Sequence, residues 1–189
     1  MTEANAPVGI IGTGLMGTAC ARRLLGAGYA VLGFDVDAAK LQAFTKLGGG
    51  AAASVAEITR TCRKVVLCVF NTTQVEETIE GPGGILATLS PDAPPIIAIC
   101  TSTCDPDRIA ALAERIPASR LRFVEAPVSG TSDQTARGDA LGLIAGDPAA
   151  AKAAITTPPR IGPSPVPAFG NLTLPSLEEN DLIRQVEGT

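Results

Sequence analysis

The sequence of 189 residues contains no histidine and no tryptophan, and aromatic residues make up only 3% of it. Without imidazole, a Ser-His-Asp triad, a Cys-His nucleophile and a histidine-bound zinc site are all excluded. General acid-base chemistry must therefore come from lysine, aspartate, glutamate, tyrosine or cysteine. Tyr29 is the only tyrosine. The four lysines are Lys40, Lys46, Lys64 and Lys152.

Long apolar runs and an excess of basic charge are also lacking. No run reaches the roughly 18 to 20 apolar residues that a membrane-spanning helix needs. The first residues, MTEANAP, lack the basic start and apolar core of a signal peptide. The net charge of -4 and the pI near 4.9 supply no field that attracts nucleic acid or an anionic membrane. These absences predict a soluble, cytoplasmic protein with neither as a partner.

The five cysteines are scattered through apolar segments, which favours small core residues over disulfides in an intracellular chain. Cys100 and Cys104 have C-x3-C spacing, but no second pair of ligands accompanies them. Structural zinc is normally held by four ligands. The sequence therefore predicts no metal site.

Short apolar runs alternate with segments of helical periodicity over residues 1–155. The predicted strands are 8–11, 30–34, 64–69, 95–100, 123–124 and 141–145. The predicted helices are 16–27, 38–47, 54–60, one that begins at Thr73, and 105–116. This alternation, with strands that are apolar throughout, is typical of an α/β domain whose parallel sheet is covered on both faces. The sequence predicts a Rossmann-type, doubly wound, mainly parallel sheet.

Residues 156–189 differ in character from the chain before them. The prolines of this segment are Pro158, Pro159, Pro163, Pro165, Pro167 and Pro175. Such a density of proline is incompatible with a sheet or a long helix. Ser176 and Glu179 fit a capping box, which predicts one short helix at 177–186. We expect an irregular, proline-rich tail and not a second domain.

A glycine-rich turn follows the first strand. Gly12, Gly14 and Gly17 form a G-x-G-x-x-G pattern that opens a helix, and Asp35 ends the next strand. In a dinucleotide site the glycines permit a tight turn, close approach of a pyrophosphate and close packing of the helix. Asp35 would accept hydrogen bonds from ribose hydroxyls and repel a 2′-phosphate, which favours NAD over NADP. A purely structural turn and an S-adenosylmethionine site are the alternatives.

Two further segments carry a family resemblance. Residues 125–131 read E-A-P-V-S-G-T and are followed by Ala136, Gly138 and Leu141, while residues 99–106 read I-C-T-S-T-C-D-P. Together with the glycine turn, they resemble the D-A-P-V-S-G-G, A-x-x-G-x-L and I-D-x-S-T-x-x-P motifs of the β-hydroxyacid dehydrogenases. That family includes 3-hydroxyisobutyrate dehydrogenases and tartronate semialdehyde reductases. The resemblance covers about residues 8–155.

The resemblance implies a set of ligand-binding residues. The cofactor residues are Gly12, Thr13, Gly14, Leu15, Met16, Gly17 and Asp35 around the adenine half of NAD, Val69 and Phe70 at its border, and Thr103 near the nicotinamide ribose. Ser129 and Gly130 would hold the carboxylate of a small substrate through a hydroxyl and a backbone N–H. Taken without the resemblance, residues 127–130 are simply a polar turn after a strand.

The catalytic lysine of the family is missing from its expected motif. In the family, it lies in a G-x-x-G-x-G-x-x-x-K-x-x-N helix that begins a second, all-helical domain and transfers the hydroxyl proton. No lysine follows Ile155, and Lys152 is predicted on the exposed face of a helix. We therefore identify no catalytic residue. Because the family dimerises through its helical domain, the sequence predicts no oligomeric state for this chain.

Three functions follow from these residues. The first is an NAD-dependent oxidoreductase that interconverts a small 3-hydroxy acid and its semialdehyde or keto acid, shortened and inactive by itself. The second is a cofactor-binding module without catalysis, or one whose partner chain supplies the lysine. The third is an imine reductase, because that group shares the fold and the glycines and differs mainly at the lysine position.

Overall fold

The computed structural model describes residues 6–155, which form one main sheet with helices on both faces. Its strands are β1 (Val8–Ile11), β2 (Val31–Phe34), β3 (Gly50–Ala51), β4 (Lys64–Leu67), β5 (Ile96–Cys100), β6 (Leu121–Glu125) and β9 (Ala145–Gly146). They lie in the order β3-β2-β1-β4-β5-β6-β9, and all neighbours are parallel except β6 and β9. The strand order reverses between β1 and β4, which is the doubly wound arrangement. The predicted fold class is confirmed.

The helices begin close to the predicted positions because their capping side chains are encoded locally. They are α1 (Leu15–Gly26), α2 (Ala38–Thr45), α3 (Val55–Thr61), α4 (Thr72–Glu80), α5 (Ile85–Thr88), α6 (Pro106–Arg115), α7 (Ser132–Arg137) and α8 (Pro148–Ile155). Asp37 accepts from two backbone N–H groups of α2, and Ser54 and Asp105 accept from those of α3 and α6. Side-chain oxygens at this position satisfy N–H groups that the helix leaves unpaired.

The core lies on both faces of the sheet. Val65 and Leu67 of β4 contact one cluster, which includes Ile58 and Val75 from the helices on that face. Val66, between them, contacts the other cluster with residues of α1 and α2. Successive side chains of a strand point to opposite faces, so a strand covered on both sides must be apolar throughout. This explains the continuous apolar run that predicted β4.

One predicted strand is wrong in its extent. Residues 141–145 do not form a single strand: β8 (Leu141–Gly142) pairs antiparallel with β7 (Val128–Ser129) in a separate two-stranded sheet, whereas β9 joins the main sheet. Between them, the N–H of Leu143 donates to the carbonyl of Pro127. Gly146 then takes a positive φ of 126°, which bends the chain away from a regular strand.

Several short elements were absent from the sequence prediction, namely β3, β7, α5 and α7. Each has too few residues to show a hydrophobic period. The predicted helix at 177–186 and the rest of the tail lie outside the residues that the structure describes. Among residues 6–155, none of the helices combines the length and apolar character required to cross a bilayer.

Candidate functional site

Gly12, Gly14 and Gly17 differ in what surrounds their missing Cβ atoms. Gly12 has a φ of 91°, and a Cβ there would overlap the carbonyl of Cys68. A Cβ on Gly17 would overlap the carbonyl oxygen of Gly12, so the first turn of α1 packs directly on the end of β1. A Cβ on Gly14 would meet nothing within 4 Å. The packing of the turn therefore requires glycine at positions 12 and 17, whereas Gly14 faces open space.

The amino end of α1 has no side-chain acceptor for its N–H groups. Gly14 is the N-cap residue, and the first turn contains no acidic side chain. Asp37 and Asn71, in contrast, cap α2 and α4 with their own oxygens. Unpaired N–H groups and the helix dipole make such an end favourable for an anion such as a phosphate. The open space at Gly14 lies at this end of the helix.

Asp35 lies beside the glycine turn and accepts hydrogen bonds from it. Its Oδ2 accepts from the backbone N–H of Thr13 at 2.7 Å and from the Thr13 hydroxyl at 3.2 Å. Its Oδ1 accepts from the N–H of Asp37 at 2.9 Å. Thr13 is buried, whereas the carboxylate of Asp35 is only partly covered. The carboxylate therefore has a structural role in the turn. It can still accept a further hydrogen bond, for example from a ligand hydroxyl.

The other predicted cofactor residues lie after the carboxyl ends of their strands. Leu15 and Phe70 are 75% and 89% exposed, and Met16 and Val69 are partly buried. Thr103 is exposed in the loop between β5 and α6. Because β1, β2, β4, β5 and β6 are parallel, all these ends lie at one edge of the sheet. Ligands of doubly wound sheets bind outside this edge, where the strand order reverses.

Ser129 and Gly130 follow β6 at the same edge: Ser129 ends β7, and Gly130 begins the connection to α7. Both are exposed, and Gly130 has a φ of 144°, a conformation that other residues rarely adopt. Thr131 and Gln134 then form a capping box that begins α7. A groove of about 350 Å³ separates α7 from the glycine turn, lined by Thr13, Gly14 and Leu15 on one side and Ser132, Asp133 and Ala136 on the other. Ser129 and Gly130 do not line this groove.

Hydroxyl groups that the sequence reading did not single out fix the loops at this edge. The Thr101 hydroxyl donates to the carbonyl of Leu67 at 2.9 Å, and the Ser102 hydroxyl donates to that of Val69 at 2.7 Å. The Thr72 hydroxyl accepts from the N–H of Asp105 at 2.9 Å. The signal for this arrangement was the run of serine and threonine that directly follows the buried strand β5.

Groups capable of proton transfer are few among residues 6–155. Lys64 donates to the carbonyl of Ala153 at 2.6 Å, and Lys152 is exposed on α8. Burial raises the pKa of Glu125, which ends β6 opposite Cys100. The same part of the chain contains no cluster of three or more histidine, cysteine, aspartate or glutamate side chains that could hold a metal ion.

The fold and the glycine turn define a dinucleotide-binding α/β domain, since the space at Gly14, the uncapped helix and the partly covered Asp35 together fit a pyrophosphate and its ribose. The family model for the NAD binding domain of 6-phosphogluconate dehydrogenase matches residues 7–157, and the chain belongs to that family. With the dehydrogenase relatives below, this match confirms the resemblance to the amino-terminal domain of the β-hydroxyacid dehydrogenases.

Relatives with both enzymatic and other names match the same region. L-threonate dehydrogenase of Cupriavidus necator is 35% identical over 132 residues, which cover 70% of this chain and 43% of that protein. Cytokine-like nuclear factor N-PAC of Pongo abelii is 32% identical over 147 residues, 78% of this chain and 26% of that protein. The chain therefore spans less than half the length of these curated relatives.

A solved structure has the same fold. The 3-hydroxyisobutyrate dehydrogenase of Mycobacterium tuberculosis with L-serine superposes with a TM-score of 0.76 at 20% identity. The superposition covers 89% of this chain and 54% of that one. At this level of identity, the likeness concerns the fold alone.

Proposed function

We propose that this chain binds NAD in preference to NADP and forms the cofactor-binding part of an oxidoreductase that acts on a small hydroxy acid. The observation that carries the proposal is the carboxylate of Asp35, which the Thr13 N–H holds beside the glycine turn. The Asp35 carboxylate would repel a 2′-phosphate on the ribose from this place. Asp37, two residues later, is engaged in capping α2 and in an ion pair with Lys40.

The cofactor would extend along the carboxyl edge of the sheet. Its pyrophosphate would lie at Gly14 and its adenine ribose at Asp35, with Val69 and Phe70 at the border and Thr103 near the nicotinamide ribose. Gly12, Thr13, Leu15, Met16 and Gly17 would shape the turn around it. When bound, NAD supplies the hydride acceptor at its nicotinamide ring. Residues 1–155 would form this domain in the cytoplasm, with 156–189 as an appended tail.

The substrate would be anchored by Ser129 and Gly130. The Ser129 hydroxyl and the Gly130 N–H follow β6 at the edge where the cofactor would lie, and both residues are exposed. Short donors of this kind suit a carboxylate, which forms strong charge-assisted hydrogen bonds. The name of the dehydrogenase relative at 35% identity, which refers to L-threonate, supports a small hydroxy acid as substrate class.

Proton transfer is the step for which residues 6–155 offer no well-placed group. The Lys64 ammonium donates a hydrogen bond to the carbonyl of Ala153, and Lys152 is exposed on α8. A general base, in contrast, must be positioned against the reacting hydroxyl. We therefore expect the chain alone to bind cofactor and turn over little or no substrate. A lysine from another polypeptide segment would complete the site.

A cofactor-binding module without catalysis is the second candidate. It is favoured by the match to a protein named as a nuclear factor, which covers the same domain as the dehydrogenase match. An imine reductase stays a third hypothesis, because the residue that would separate it from a hydroxyacid dehydrogenase lies at the lysine position.

A turnover assay tests the proposal. Purified protein is mixed with NAD and either 3-hydroxyisobutyrate or L-threonate, and the absorbance of NADH is followed. We expect cofactor binding with no growth of absorbance. If NADH forms, the expected role of the missing lysine is wrong, and the variant Lys152→Met then shows whether Lys152 transfers the proton. The same protein without substrate provides the baseline.

A further inference from the structure

Two thiols lie in contact at the carboxyl end of β5. The Sγ atoms of Cys100 and Cys104 are 4.0 Å apart, with Cys100 fully buried at the end of the strand and Cys104 partly exposed just before α6. Cys104 precedes Asp105, the N-cap residue of that helix. A disulfide needs a sulfur separation of about 2 Å, so the loop must move by about 2 Å to close the bond.

We infer that Cys100 and Cys104 form a reversible disulfide under peroxide, and that this bond acts as a redox switch on the cofactor edge of the sheet. The five-residue ring closed by the bond encloses Thr101, Ser102 and Thr103. Thr101 and Ser102 bond this loop to the end of β4. Closure of the ring would therefore displace Thr103 relative to the strands around it.

The chemistry balances with a hydroperoxide as oxidant. The partly exposed Cys104 loses its proton and attacks the outer peroxide oxygen as the thiolate. The O–O bond breaks and a sulfenic acid forms, while the leaving oxygen takes up the proton and departs as an alcohol, or as water from hydrogen peroxide. The Cys100 thiol then attacks the Cys104 sulfur, the S–O bond breaks, and its proton leaves with the hydroxide as water. Two electrons pass from the thiols to the peroxide, and a dithiol reductant reverses the step.

Neighbouring groups make the oxidation slow at neutral pH and faster at alkaline pH. Burial raises the pKa of both thiols, and the Glu125 carboxylate on β6 raises them further. The Thr72 hydroxyl from α4 and the Arg108 charge from α6 act in the opposite direction on Cys104 alone. Since the thiolate is the attacking form, the rate should increase with pH.

Peptide mapping locates the bond. The full chain is treated with hydrogen peroxide, unfolded, alkylated at its free thiols and digested after lysine, arginine and glutamate. Residues 81–108 then form one fragment that contains Cys100 and Cys104 and no other cysteine. We expect this fragment to lose two hydrogen atoms and to carry no alkyl group, and a dithiol to restore both alkylation sites.

Matched variants separate the proposed bond from other oxidation. Cys104→Ala should abolish the mass change, whereas Cys62→Ala, at the buried cysteine that directly follows α3, should leave it unchanged. A disulfide that links Cys20 to Cys68, found between fragments 4–22 and 65–76, would contradict the proposal. Fragment 81–108 recovered fully alkylated, or with higher sulfur oxides only, would contradict it as well.

The effect on the cofactor rests on the proposed function. Oxidised protein should bind NADH on the order of tenfold more weakly than reduced protein, because a displacement of about 1 Å in a binding loop has effects of this size or larger. Equal affinities of the two forms would refute the switch. If reduced protein binds no NADH, the proposed function fails, and the peptide map alone decides the disulfide.

Discussion

The backbone N–H of Thr13 donates to Oδ2 of Asp35 at 2.7 Å, and this bond joins the turn after β1 to the end of β2. The Thr13 hydroxyl adds a second, longer bond to the same oxygen at 3.2 Å. Asp35 is therefore oriented before any ligand binds. Pre-organisation of this kind lowers the entropy that binding must overcome, which makes the carboxylate an effective acceptor for ribose hydroxyls.

Asp35→Asn should lower the affinity for NADH by about tenfold or more, because a hydrogen bond to a charged group contributes about 1.5–3 kcal/mol. The preference for NADH over NADPH should narrow at the same time, since the repulsion of a 2′-phosphate is lost. Fluorescence titration of both nucleotides measures the two effects. The control is Asp92→Asn, at an exposed position before β5 and thus at the opposite edge of the sheet. Equal losses in both variants would contradict the role of Asp35.

Gly17→Ala should destabilise the protein by about 2 kcal/mol or more, because the new methyl overlaps the Gly12 carbonyl, which is backbone and cannot turn away. Gly26→Ala is the matched control: it lies at the other end of α1, with open space around its Cβ position, and should be neutral or slightly stabilising. Thermal unfolding followed by circular dichroism measures both. A melting temperature of Gly17→Ala equal to that of the parent would show that α1 does not pack on β1 as described.

These glycines also show how far sequence alone can predict the fold. A glycine pattern between an apolar run and a helical period specifies a tight turn, and the capping residues Asp37, Ser54 and Asp105 fix helix starts by local chemistry. Such signals act over a few residues and can be recognised in a single sequence. The bond between Thr13 and Asp35 joins residues 22 positions apart. It depends on the approach of two strands, which local patterns do not encode.

Ser129→Ala tests the proposed substrate anchor. The side chain is exposed at the end of β7, so its hydroxyl should contribute little to stability. We expect unchanged NADH affinity but about tenfold weaker binding of 3-hydroxyisobutyrate to the NAD complex, measured by calorimetry. Ser90→Ala, another exposed serine between α5 and β5, should change neither affinity. A loss of NADH binding in Ser129→Ala would contradict a role confined to the substrate.

Opposite pH effects are expected from two glutamates. Burial raises the pKa of Glu125 above its ordinary value of 4.5, whereas the hydrogen bond from Arg115 lowers that of Glu80. At neutral pH, Glu125→Gln should therefore be more stable than the parent and Glu80→Gln less stable. The Glu125 difference should vanish as pH falls through its folded-state pKa towards 4.5, where the carboxyl is protonated in both states.

The Glu80 difference should persist to lower pH. Its stabilising charge is lost only as pH falls below 4.5 and through the depressed folded-state pKa. Melting temperatures of both variants and the parent across this range provide the measurement. Shifts of the same sign at neutral pH would contradict the burial of Glu125 or the ion pair of Glu80 with Arg115.

The site was less predictable than the fold for a physical reason. The predicted strand at 141–145 divides between two sheets, and the Leu143 N–H between them donates to the Pro127 carbonyl. The pairing of β8 with the strand that contains Ser129 joins segments about a dozen residues apart, which local patterns do not encode. The loop after β5 could not be predicted for the same reason. The hydroxyls of Thr101 and Ser102 donate hydrogen bonds to carbonyls 34 and 33 residues earlier in the chain.

The central claim is that NAD binds at Gly14, and titration of NADH and NADPH into the parent, Gly14→Asp and Gly83→Asp tests it most directly. Both glycines have open space at the Cβ position, and Gly83 lies in the turn between α4 and α5. Aspartate is a favourable N-cap residue, so Gly14→Asp should fold well while its carboxylate repels the pyrophosphate. We expect NADH to bind the parent and Gly83→Asp equally, more tightly than NADPH, and Gly14→Asp to bind neither. Undiminished NADH binding by Gly14→Asp, or none by the parent, would contradict the account.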